Sequence, residues 1–424
     1  MRQGSMAQAK QSAATNINKA HTVVEQQIKQ QQLAGVQQQQ RKLTIAERKE
    51  LQKKFMFQSK TDRFLYKLPG EINGQQFKVD NCSECNIYIH DYHDSVYVDD
   101  CNNCVIVFGP CRGSQFIRNC NNCKIISSCQ QLRLRDCHNL EIMIYTQTEV
   151  KIRQSLQIQI QPIIESSSKI TFMCHQYYYP EMLEQMTQAN LSIWNNKWNQ
   201  IFDFTPDKTG QKLNYKIDYS QNSYFASTLE QMNQILQSVE QIKNKPVIFL
   251  KDKIDLNFDN SDTVPTVPFT YVQEINPIIS SMFILIYGET VDQINYPAVY
   301  DVYVDIQTHI IDSLPSNIWF QETRKTTITP DQQAELASVA GNSGKVQSSK
   351  PMEVVGIQIG SSLDKAKFQQ LCVQPIATQI LAQLQRTQLQ FVFNFDLASS
   401  KKLANLLFKT YNIENKGHDI KGNK

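Results

Sequence analysis

Between residues 79 and 144, apolar and polar positions alternate within a unit that comes round four times. The copies are VDNCSECNIYI (79–89), VDDCNNCVIVF (98–108), IRNCNNCKIIS (117–127) and LRDCHNLEIMI (134–144), with starts 19, 19 and 17 residues apart. Each copy is a short alternating run, a corner of Asn, Asp and Cys, and a second alternating run. Alternation with period two predicts strands that bury one side. A unit of roughly 18 residues with repeated corners predicts stacked coils, because one coil cannot bury its inner row alone. The expected fold is mainly β: a parallel β-helix, with small Cys and Asn side chains laddered at the corners.

Elsewhere the pattern changes. Residues 1–60 contain QQIKQQQ and QQQQRK, and their apolar positions recur only at loose helical spacing. Thr44 stands three residues before Glu47, a capping signal. This predicts a Gln-rich arm, helical or disordered, either solvated or docked on a filament or partner. Residues 170–210 predict a strand, a turn and an aromatic-rich helix, with Trp194, Trp198, Phe202 and Phe204 packed as a cap. A linker with a helix near 226–243 spans 207–280. From 281 onward, strand and helix patterns alternate: MFILIY, a helix near 290–312, EVVGIQIG, a helix from Ser362, LQFVFNFD and a last helix. That alternation predicts an α/β layer domain. The stretch from Thr323 to Lys350 is expected as a long loop. Its GNSGKV lacks the first glycine and the Ser/Thr of a phosphate loop, having Val339 and Val346 there.

Composition narrows the function classes. The 424 residues include 50 Gln, and 43 basic residues balance 40 acidic ones to a net charge of +3. Near-neutrality gives no footprint for nucleic acid or an anionic membrane. No apolar run approaches the roughly 20 residues of a spanning helix. The start, MRQGSMAQAK, lacks a secretory apolar segment, and Arg2 in place of Gly precludes myristoylation of that end. Nine of the 11 cysteines lie between Cys82 and Cys137. An odd count suits free thiols in a reducing compartment. The pairs Cys82/Cys85 and Cys101/Cys104 fit a zinc spacing. The pairs run in phase with the strand repeat, however, and the fourth copy decays to Cys137-His138-Asn139-Leu140. A ladder tolerates that decay and a four-ligand zinc site does not, so no metal is expected.

The run QQFKVDNCSECNIYI, GPCRGSQFIRNC, SCQQLRLRDC, QPIIESSS, YYYPE and NNKWNQIFDFTP resembles the retinitis-pigmentosa-type members of the tubulin-binding cofactor C family over about 62–206. The resemblance implies that the β-helix is right-handed and spans 61–206, and that the protein is a GTPase activator acting on an Arf-like small GTPase in cilium- and microtubule-linked trafficking. It places Arg133 on the family's arginine finger, Gln130 and Gln131 on neighbouring GTPase contacts, and Glu165 on a further one. It implies no cofactor of the chain's own, GTP and Mg being held by the partner, and a cytoplasmic location at the cilium, basal body or axoneme. The region after 280 resembles the family's ferredoxin-like, nucleoside-diphosphate-kinase-like tail in pattern. Neither His309 nor His418 has the N-x-x-H-G-S-D setting of an active kinase, so that tail is expected to be inactive.

The residues point to Arg133 independently. In Leu132-Arg133-Leu134-Arg135 the leucines take the inward positions, so Arg133 points out. Counting back along the repeat sets Phe116 and Tyr97 in its column, an arrangement suited to an interface hot spot. Arg135 falls in line with Arg118 and Asp99, an ordinary charge ladder. About 12 residues are extra between LEIMI and QPIIESS relative to the family pattern. Overlaying EVKIRQS on QLRLRDC puts Lys151 beside Arg133 and displaces Glu165. The competing expectation is a non-catalytic scaffold, with tubulin or axonemal proteins bound through the arm.

Overall fold

The structure is a computed structural model. It describes residues 53–154, most of 169–219, residues 267, 268 and 270, and most of 277–408. Expectations for the arm before residue 53, the helix at 226–243 and Glu165 lie outside the described residues.

In chain order the first strands are β1 (Met56–Gln58), β2 (Phe64–Lys67), β3 (Phe77–Asp80), β4 (Asn86–Ile89), β5 (Val96–Asp99), β6 (Val105–Arg118), β7 (Lys124–Arg135), β8 (Glu141–Thr146), β9 (Val150–Arg153) and β10 (Ile170–Cys174). Helix α1 (Met182–Gln188), β11 (Ile201–Asp203) and β12 (Tyr215–Ile217) follow. Every pairing among these strands is parallel and joins one coil to the next, which makes a parallel β-helix. Two walls carry most of the strands. The first is β1, β3, β5, the ends of β6 and β7, β9 and β11. The second is β2, β4, the starts of β6 and β7, β8, β10 and β12.

The corner between the walls explains the repeat. Asn81, Glu84, Asp100, Asn103, Asn119, Asn122, Asp136 and Asn139 all have φ between 50° and 55°. Asn and Asp tolerate this left-handed conformation best, hence their recurrence on either side of the first Cys. The corners stack: the Asn121 amide donates to Asn102 at 3.2 Å, and that of Asn139 to Asn122 at 2.7 Å. The cysteines are buried free thiols. Cys104 and Cys123 donate to the carbonyls of Cys82 and Cys101, each at 3.5 Å.

The β-helix runs past its expected ends. Strand β1 pairs with β3, and Phe57 packs edge-on against Phe77 at 5.2 Å, so 56–58 belong to the first coil rather than to an arm. Strand β12 pairs with β10, carrying the last coil beyond 206. The aromatic-rich segment is less helical than expected: among its described residues only Met182–Gln188 is helix. Trp194 and Trp198 are buried, but Phe202 and Phe204 are 47 % and 58 % exposed and cap nothing. Period two explains it, since Phe202 and Phe204 take alternate, outward places on and just after β11, flanking an inward row.

The second domain is an antiparallel sheet of β13 (Ser280–Gly288), β14 (Ile318–Ile328), β15 (Met352–Ser361) and β16 (Leu389–Asn394), in the order β14-β15-β13-β16. Its helices are α2 (Tyr296–Ile306), α3 (Pro330–Ala340), α4 (Lys365–Phe368, continued by π-helical turns) and α5 (Leu397–Phe408). Within the stretch expected as a loop, the described residues up to 340 form instead the end of β14 and then α3. The run Arg324 to Thr327 has too few apolar residues to read as a strand alone; pairing with β15 holds it. Among the described residues no helix is long and apolar enough to cross a membrane.

Packing joins the domains. The outward row of the second wall is apolar: Tyr66, Tyr88, Val107, Ile126, Met143 and Met173 stand in register. Five of these are buried in one apolar cluster with α1, α2 and one face of the second sheet, with Tyr66 packed against it. Trp194 meets Tyr303 edge-on at 6.0 Å, and the Asn195 side chain bonds both the N–H (2.7 Å) and the carbonyl (3.1 Å) of Lys325. Among the described residues nothing covers the first wall's outward row.

Candidate functional site: the outward ladder of the first wall

Arg133 lies on the last part of β7. Leu132 and Leu134 point into the coil and are 0 % and 3 % exposed, which forces Arg133 outward into solvent. Successive coils place Lys78, Tyr97, Phe116, Arg133, Lys151 and Phe202 in one column. Tyr97 and Phe116 stack face to face at 5.1 Å and 8°. The Arg133 guanidinium stands 5.6 Å from the Phe116 ring centre, within cation–π range. Its Nε donates to Oε1 of Gln131 at 2.7 Å, and among the described residues no hydrogen bond engages its terminal nitrogens. Gln131 is two residues back on the same strand and shares its face.

Gln130 is exposed, and its carbonyl is held from the next coil by the hydroxyls of Thr146 (3.2 Å) and Thr148 (3.0 Å). Lys151 stands beside Arg133 as the overlay of EVKIRQS predicts. Its Nζ lies 4.8 Å from the Phe202 ring and 2.7 Å from Oε2 of Glu149. Sequence reasoning missed two members of this column, Lys78 and Phe202, and expected Phe202 to pack in the cap. The register of Phe202 with Lys151 could have been counted only once β9 and β11 were known to be neighbours.

One column along, Asp99 takes Arg118 in a two-pronged grip at 2.6 and 2.7 Å, which raises the arginine pKa further. Lys78 reaches Asp80 at 3.2 Å and Asp99 at 3.4 Å. Arg135 stands in register with Arg118 on one side and Arg153 on the other.

The extra residues also find their place. Strands of the first wall are joined to the next strand of the second by five residues, at 81–85, 100–104 and 136–140. Between β9 and β10 the join is 154–169, sixteen residues, eleven more. The rung beside Arg133 and Arg135 is therefore Val150–Arg153, with Arg153 next to Arg135.

Residues 74–162 and 151–204 match the family model described as Tubulin binding cofactor C, the two pieces overlapping at 151–162. Protein XRP2 of Homo sapiens is 52 % identical over 165 residues, 39 % of this chain and 43 % of that protein. Protein XRP2 of Gallus gallus is 53 % identical over 154 residues, 36 % of this chain and 40 % of that protein. Protein XRP2 of Danio rerio is 47 % identical over 154 residues. The similarity thus spans less than half the length of these curated relatives, and it covers the β-helix that carries the ladder.

Proposed function

We propose that this chain, whose residues 74–204 form a tubulin binding cofactor C domain, accelerates GTP hydrolysis on an Arf-like small GTPase by inserting Arg133. The observation that carries the reading is an outward arginine, stacked on Phe116 and held at Nε by Gln131, on an open wall. GTP hydrolysis spreads negative charge over the γ-phosphate oxygens and the β–γ bridge. A guanidinium supplied in trans offsets that charge with a planar fork of donors. Such fingers give roughly 10³–10⁵ in rate, about 4–7 kcal/mol of barrier. Gln130, Gln131, Tyr97 and Phe116 form the docking surface around it. The partner holds the GTP and Mg.

We read the second domain as ferredoxin-like, the sheet order β14-β15-β13-β16 supporting this, and as a catalytically inactive relative of nucleoside diphosphate kinases. Trafficking at the cilium, basal body or axoneme is the setting we assign. The test is single-turnover GTP hydrolysis with a panel of Arf-like GTPases. Arg133→Ala should abolish stimulation, and Arg133→Lys should be nearly as poor, because one ammonium cannot bridge the same oxygens. Equal stimulation by wild type and Arg133→Ala would remove the finger. No stimulation of any partner by wild type would favour a scaffold that binds tubulin or axonemal proteins.

A further inference from the structure

The open wall is divided by charge. In its upstream half, Lys78, Asp80, Asp99 and Arg118 neutralise one another through contacts of 2.6 to 3.4 Å. In its downstream half, β7 and β9 set Arg133 beside Lys151 and Arg135 beside Arg153. Adjacent strands are about 4.8 Å apart, so this is a two-by-two block of four cations. Among the described residues two carboxylates touch it: Glu149 on Lys151 at 2.7 Å and Asp136 on Arg135 at 3.7 Å. Among the described residues neither Arg133 nor Arg153 enters an ion pair.

Packing does not call for these charges. Val150 and Ile152, both fully buried, provide the inward row of β9, and Lys151 and Arg153 are its outward positions. Like charges on neighbouring strands repel, so the block is unfavourable until an acidic surface meets it. Phe202 backs the Lys151 ammonium and restrains it.

We propose that Lys151 and Arg153 are specificity-determining residues, selecting a GTP-loaded small GTPase that carries acidic side chains beside its nucleotide pocket. This rests on the Arg133 reading and adds the chemistry of the partner. Charges at such a rim steer encounter and orientation, whereas Arg133 acts on the reacting phosphate. Affinity and rate should therefore separate.

The test uses the full chain in single-turnover hydrolysis across GTP-loaded Arf-like GTPases, titrated to saturation at low and at high salt. Replacing both residues (Lys151→Glu with Arg153→Glu) should raise the half-saturating concentration at least about tenfold at low salt, and far less at high salt. The saturated rate should stay within about twofold. Arg133→Ala should do the reverse. A thermal melt checks folding, and Lys151→Ala with Arg153→Ala gives a neutral version should the reversal misfold. An unchanged half-saturating concentration would overturn the proposal, as would loss of the saturated rate alone. If wild type stimulates no GTPase, the Arg133 reading fails. Direct binding of the GTP-loaded panel then decides the docking claim: loss of wild-type binding on charge reversal sustains it, and equal or absent binding ends it.

Discussion

The two walls of the β-helix share a backbone and differ in their outward rows. On the second wall that row is Tyr66, Tyr88, Val107, Ile126, Met143 and Met173, and the chain covers it with its own second domain. On the first wall it is Lys78, Tyr97, Phe116, Arg133, Lys151 and Phe202, and nothing among the described residues covers it. The inward rows are equally apolar. What a wall does is thus decided by every second residue, and the same coil builds an internal interface on one side and a free one on the other.

The sharpest way to break this contrast is to put one charge on each wall. Ile126→Asp buries a carboxylate with no partner and should cost at least about 3 kcal/mol, abolishing a cooperative melt or detaching the second domain. Phe116→Asp, on the open wall, should change the melt little. Equal damage from the two would mean that the first wall is covered as well.

Acid is the next probe, because the covered regions hold neutral histidines. Burial lowers the pKa values of His90, His93 and His175 from 6.5 to about 3. His90 bonds the Tyr177 hydroxyl at 2.6 Å, while His93 sits edge-on to Phe77 and Phe108. Below the unfolded value of about 6.5 the unfolded chain takes up protons that the folded chain refuses. Stability should be intact above that pH and fall toward pH 3, by up to about 4 kcal/mol per pH unit for the three together. A melting temperature flat between pH 7 and 5 would show that these rings are not buried as described.

Within β7 the contrast narrows to adjacent residues. Leu134→Ala empties an inward site and should cost about 2–5 kcal/mol by denaturant titration. Arg133→Ala, one residue away, should stay within about 0.5 kcal/mol while removing stimulated hydrolysis. A comparable loss of stability from Arg133→Ala would make it a structural residue.

Sequence reasoning reached the first wall because its signals are local. The corner residues announce the turns, and counting along the repeat aligns Tyr97, Phe116, Arg133 and even Lys151. The second wall's fate was also written, though less loudly. Tyr88, Val107, Ile126 and Met143 break the polar alternation, as strands buried on both faces do. The covering domain lies more than 100 residues away, so no local pattern links the two. Strand β14 was lost for the same reason: Arg324–Thr327 owe their strand to β15. Phe202 illustrates the opposite error, since an aromatic expected in the cap proves to stand in the outward column.

The bond from Arg133 Nε to Gln131 has a consequence for entropy. A free arginine samples many rotamers, and fixing one on binding costs roughly 0.5–1.5 kcal/mol. Here Gln131 and the Phe116 ring fix the side chain while the chain is alone. The partner then meets a fork already aimed, with only its terminal donors left to engage. Gln131→Ala should therefore leave the guanidinium present and make each encounter less productive: a finger that is intact but has to be found.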